Sequence, residues 1–167
     1  VHRFAQAEAV NEVLVRVFQT MRATDGDGEP KPFYASRDDL LQRIRLSEWE
    51  QLVRFIVDSV RQTVVLANQG AWPEATPGFQ IAMRGIWFQI YSRGNRLGGA
   101  AMDYGNAYLQ NAHLDIEPVP GQLVVFPSWL PHQAMPYKGN SDRVIVSFNV
   151  SVHAAAGSDQ LHGYAHV

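Results

Sequence analysis

The sequence predicts an α+β domain in which helices come first and strands second. Two observations carry this. Up to about residue 70 the apolar residues recur at helical spacing; after Pro77 they give way to aromatic and β-branched runs punctuated by proline and glycine. Such an order predicts helices packed on one face of a β-sandwich or jelly roll.

The elements follow in turn. Val10, Leu14, Val17, Phe18 and Met21 share one helical face. The stretch from Thr24 to Pro32 is a loop by its Gly, Asp and Pro content. Ser36 is placed to cap a short helix running to Leu46. Ser47 with Glu50 has capping-box spacing and opens a strongly amphipathic helix. Trp49, Leu52, Val53, Ile56, Val60, Val64 and Ala67 form its apolar face, and Gly70 is a plausible stop. Strands are expected over Phe79–Tyr91, Gly121–Phe126, Pro131–Tyr137 and Arg143–Val152. In the last of these Arg143, Ile145, Ser147, Asn149 and Ser151 alternate with Val144, Val146, Phe148, Val150 and Val152. One face is therefore wholly apolar and needs a core. The other is mostly polar and begins with an arginine, as suits either a surface or a barrel interior holding a polar ligand.

Composition narrows the function classes. The 167 residues suffice for one domain with a sizeable core, and 46% hydrophobic with 18% charged residues describes a globular chain. No apolar run is long enough to span a bilayer, and no basic segment followed by an apolar one marks a secretory leader. The formal net charge is −2 with scattered basic residues, which argues against nucleic acid as a partner. The chain has no cysteine, which excludes disulfides, thiolate metal sites and a Cys nucleophile, and fits a cytoplasmic location. A homodimer is left open.

The densest signal lies near the C-terminal end. The chain reads Gly121-Gln-Leu-Val-Val-Phe-Pro-Ser-Trp-Leu-Pro-His132-Gln-Ala-Met-Pro136, then Asp142-Arg143-Val-Ile-Val-Ser-Phe-Asn149. A strand ends in a proline-bounded turn, the turn delivers a histidine, and eleven positions later an arginine opens the last strand. This resembles the 2-oxoglutarate/iron(II) oxygenase superfamily, and within it a bacterial and phage subfamily with an FPSWLxH…RxxxSFN ending. The resemblance covers roughly residues 78–152 and is dense over 117–152.

The resemblance implies a double-stranded β-helix (jelly-roll) core over 78–152, supported by helices in 1–70, all within a single domain 1–167. It implies Fe(II) as the metal and 2-oxoglutarate as cosubstrate. His132 is then an iron ligand, because a neutral imidazole suits Fe(II) and the two-His-one-carboxylate triad leaves positions open for 2-oxoglutarate and O₂. Arg143 is the anchor for the far carboxylate of 2-oxoglutarate, which a planar guanidinium can grip bidentately. Gln89, Tyr91 and Ser147 line the cosubstrate pocket by alternating onto the interior faces, while Trp87 serves equally well as core filling. No acid–base catalyst is required. The implied reaction is oxidative decarboxylation of 2-oxoglutarate to succinate and CO₂, coupled to hydroxylation of a small molecule or peptide.

In one place the chain departs from the family pattern. The other two ligands are expected as a His-x-Asp or His-x-His pair after Gly94, where the sequence instead reads Ser92-Arg-Gly-Asn-Arg-Leu-Gly-Gly-Ala-Ala-Met-Asp-Tyr104. Three readings are open. The chain skips a stretch of a few tens of residues near 93–99, the preferred reading; or it is a non-catalytic jelly-roll module that binds a ligand or partner without iron; or the ligands are His113 and Asp115, a literal His-x-Asp that stands only 19 residues before His132.

Overall fold

The computed structural model describes residues 1–25, 33–69, 78–92, 115–130, 132 and 137–154. In order they form β1 (His2–Arg3), α1 (Ala7–Asp25), β2 (Phe33–Ala35), α2 (Leu40–Arg43), α3 (Ser47–Ala67), β3 (Phe79–Tyr91), β4 (Gln122–Leu123) and β5 (Arg143–Ala154). Mixed helix and antiparallel sheet agree with the α+β expectation.

The strands make a two-stranded sheet, β1-β4, and a three-stranded one in the order β2-β3-β5. These described strands do not by themselves build the double sheet of a jelly roll, so that finer expectation is not confirmed. Contacts group the chain into two compact units, Val1–Ser36 with Phe88–Ile145 and Arg37–Trp87 with Val146–Val167.

In the first unit, α1 buries Val10, Leu14 and Phe18, three of the five apolar positions expected on its face. Phe18 stacks on Phe88 of β3 with ring centroids 4.3 Å apart, and Tyr34 of β2 lies 5.6 Å from the same ring. The antiparallel β2–β3 register sets Phe33 opposite Tyr91, Tyr34 opposite Ile90 and Ala35 opposite Gln89. Ser36 does not cap a helix. It extends this ladder instead, its N–H donating to the Phe88 carbonyl at 2.9 Å and its hydroxyl accepting from the Phe88 N–H at 3.0 Å. A polar side chain with strand neighbours on offer satisfies the ladder in preference to a distant helix start.

β1 pairs antiparallel with β4, His2 opposite Leu123 and Arg3 opposite Gln122. Gly121 closes the pairing, its carbonyl accepting from the Phe4 N–H at 2.9 Å. It sits at φ 76°, where only glycine is unstrained, and a Cβ there would collide with the Ala7 side chain. The strand expected over Gly121–Phe126 is confined to Gln122–Leu123. Val124, Val125 and Phe126 have strand-like side chains, but strand formation needs a partner backbone, and the ladder ends at Leu123. The strand expected over Pro131–Tyr137 falls largely on residues outside the described ones. His132 and Tyr137, which are described, lie in no strand.

In the second unit, α3 buries Trp49, Ile56 and Val60 from the expected apolar face, together with Ser59. Ala67 is exposed, and Leu52, Val53 and Val64 are half-buried. The capping box does not form. The Ser47 hydroxyl donates to Glu48 at 3.0 Å, and no side-chain cap reaches the first turn. The C-terminus is closed by Asn68, whose side-chain amide donates to the Val64 carbonyl at 2.7 Å; the stop expected at Gly70 lies outside the described residues. Arg61 lies over the Phe79 ring of β3, 5.2 Å from its centre. Arg84 of β3 meets β5 through Ser151 (2.5 Å) and His153 (2.9 Å).

β3 carries the core. Ile86, Phe88 and Ile90, spaced by two, are fully buried, while Trp87 and Gln89 between them are half-buried. β5 corrects the sequence reading. Its apolar residues Val144, Val146, Phe148, Val150 and Val152 are half-buried rather than buried, and among the described strands β5 is the outer one of its sheet. Among the described residues no helix is long and apolar enough to cross a membrane.

Candidate functional site

β3 ends in alternating side chains, and this alternation places Gln89 and Tyr91 on one face. The Tyr91 hydroxyl donates to Gln89 Oε1 at 3.1 Å. Opposite Tyr91 in the ladder stands Phe33, their ring centroids 5.2 Å apart. The guanidinium carbon of Arg143, at the start of β5, lies 5.6 Å from the centre of the Tyr91 ring. Three of the residues expected to bind the cosubstrate are therefore brought together: Gln89, Tyr91 and Arg143. The fourth, Ser147, is half-buried and falls in the other compact unit.

The electrostatics of this corner follow from burial and charge. Tyr91 is buried, which raises its phenol above the ordinary tyrosine pKa, and the nearby Arg143 charge opposes that rise. The Arg143 guanidinium is half-buried and, among the described residues, pairs with no carboxylate. The neighbouring Asp142 is turned to other partners. Its Oδ2 lies 3.0 Å from Arg22 Nη1 at the end of α1, and its Oδ1 accepts from the Ser92 hydroxyl at 2.9 Å. Sequence reasoning missed Arg22, Ser92 and Asp142. Asp142 could have been noticed as the neighbour of Arg143; nothing in the sequence ties Arg22 to it across 120 positions.

His132 follows the turn over Pro127–Leu130, closed by the Leu130 N–H donating to the Pro127 carbonyl at 3.0 Å. The histidine is exposed, and its ring centroid is 4.7 Å from that of Phe126. Its Nδ1 is 3.0 Å from the Leu130 carbonyl. A carbonyl only accepts, so Nδ1 is the donor in this contact, and in the neutral ring Nε2 is then the nitrogen with the lone pair a metal ligand needs.

The fit to iron is thus partial. A facial triad needs three protein donors. Among the described residues no group of three His, Cys, Asp or Glu side chains comes together, so His132 is one prepared donor without a described set around it. Asp115 is exposed, and its proposed partner His113 lies outside the described residues. So does the segment 93–99, where a skipped stretch is expected.

Comparison with known proteins bears on this same stretch. No curated protein and no solved structure matches the chain. Residues 88–149 match the model of a family described as "Putative 2OG-Fe(II) oxygenase". The matched segment begins beside Gln89, takes in His132, and ends just after Arg143 and Ser147. The match supports the 2-oxoglutarate/iron(II) oxygenase superfamily, a family description that implies Fe(II) and 2-oxoglutarate.

Proposed function

We propose that the protein is an Fe(II)/2-oxoglutarate dioxygenase that hydroxylates a small molecule or peptide. One observation carries the reading. Within the segment that matches the oxygenase family, Arg143 lies over Tyr91 with its guanidinium edge uncommitted to any described carboxylate. A planar guanidinium so placed is suited to a bidentate grip on the far carboxylate of 2-oxoglutarate.

The remaining residues take roles that their positions support. The Tyr91 ring lies beneath the guanidinium, an apolar surface that lowers the local dielectric and so strengthens the charge–carboxylate attraction. Gln89 holds the Tyr91 hydroxyl and so fixes the ring. Ser147 offers a hydroxyl further along β5. His132 presents Nε2 to iron, with its tautomer set by Leu130. When bound, iron with 2-oxoglutarate and O₂ supplies the oxidising equivalent, yielding succinate and CO₂. The other two iron donors belong, on this reading, outside the described residues.

The test is turnover by the purified protein supplied with Fe(II), 2-oxoglutarate and O₂, reading succinate even without a substrate. Iron-dependent succinate formation that Arg143→Ala abolishes is the expected result. A protein that binds 2-oxoglutarate but forms no succinate is the metal-free binding module instead. A protein that binds neither Fe(II) nor 2-oxoglutarate overturns both readings.

A further inference from the structure

Arg143 and Asp142 are chain neighbours of opposite charge, yet they do not pair. The acid is held from two directions, by Arg22 at 3.0 Å and by Ser92 at 2.9 Å, so each carboxylate oxygen has its own partner. Arg22 neutralises Asp142, so that among the described residues no carboxylate pairs with Arg143. The Arg22–Asp142 pair is partly exposed, 34% and 23% at the side chains, so its direct contribution to stability is small. Its larger consequence is which groups remain free.

We infer that Arg22, acting through Asp142, reserves the Arg143 guanidinium for an anionic ligand, with Ser92 holding the second carboxylate oxygen. Arg22 is a positioning residue and touches no ligand. Remove its charge and, among these described residues, Asp142 is left to balance Arg143. Asp142 then has one partner fewer and becomes an internal competitor for Arg143, since carboxylate and guanidinium pair strongly when they meet. The ligand's identity, 2-oxoglutarate, rests on the functional reading above; the clamp itself does not.

Four proteins test this: wild type, Arg22→Met, Asp142→Asn and the double variant. Two readouts are taken. One is 2-oxoglutarate affinity. The other is the rate at which phenylglyoxal modifies Arg143, followed by peptide mass spectrometry, which needs no ligand. Arg22→Met is expected to weaken 2-oxoglutarate binding about tenfold, the scale of losing one favourable nearby charge, and to slow modification of Arg143. Adding Asp142→Asn restores both, because it removes the competitor. Asp142→Asn alone leaves both at or above the wild-type level.

A merely structural ion pair behaves differently. Asp142→Asn would then do the same harm as Arg22→Met, and the double variant would be no better; that pattern overturns the inference. If Arg22→Met does not fold, Asp142→Asn alone decides: a slower modification of Arg143 overturns the inference, and an unchanged or faster one supports it. If wild type does not bind 2-oxoglutarate, the functional reading fails, while the order of modification rates still decides the clamp.

Discussion

The Arg143 guanidinium lies 5.6 Å from the centre of the Tyr91 ring, placing a charge from the start of β5 over the buried aromatic at the end of β3. The contact has a pH consequence. Burial raises the folded-state pKa of Tyr91, and Arg143 opposes without cancelling the effect. A group whose pKa is raised on folding contributes stability that is complete below its unfolded pKa, about 10 for tyrosine, and is lost as the pH rises through the folded value. Stability should therefore fall at alkaline pH in wild type and fall less in Tyr91→Phe. Thermal unfolding followed between about pH 8 and pH 11 checks this; parallel curves for the two proteins would refute it.

His132 is exposed, so its replacement should separate function from stability. His132→Ala is expected to change folding stability by no more than about 0.5 kcal/mol, the usual range for a surface site. The same variant should lose Fe(II)-dependent succinate formation. Denaturant unfolding and turnover, measured on one preparation, give both numbers. Full activity in the variant would remove His132 from the ligand set.

Phe88 of β3 is fully buried and stacked on Phe18 at 4.3 Å. Truncation to Ala should cost about 3–5 kcal/mol, from lost transfer energy and the cavity left behind. A double-mutant cycle with Phe18→Ala should show a coupling of about 0.5–1.5 kcal/mol between the two rings. Additive losses would mean that each ring packs independently.

Gly121 sits at φ 76°, beside the Ala7 side chain. Gly121→Ala adds a left-handed strain of about 1–2 kcal/mol and a steric collision with Ala7. The variant should be destabilised by at least that much in urea, with faster hydrogen exchange at the Phe4 N–H, which bonds the Gly121 carbonyl. Ala7→Gly in the same chain should recover the steric part only.

Much of the scaffold could be read from local pattern. The spacing of Val10, Leu14 and Phe18 marks the buried face of α1, and Trp49, Ile56 and Val60 mark that of α3. The bounds expected for β3, Phe79 to Tyr91, are those observed. These signals are strong because each is a repeated choice of apolar residue in phase with one backbone period. Ser36 and Ser47 were misread because a hydroxyl near a helix start has several acceptors within reach, and only folded neighbours decide which it takes. The span from Val124 to Phe126 was misread because a strand exists only where another backbone lies alongside.

The sequence by itself determined the α+β class and the apolar faces, and it named the residues proposed for the site: His132 after its turn, Arg143 at the head of β5, Gln89 and Tyr91 at the end of β3. All of these are local patterns, or a phrase of residues close along the chain. The tertiary structure decided what surrounds Arg143. It set the guanidinium over Tyr91 and gave Asp142 to Arg22 and Ser92 rather than to its neighbour. Charge pairing across 120 positions leaves no periodicity in the sequence, because it depends on where separate elements meet in space.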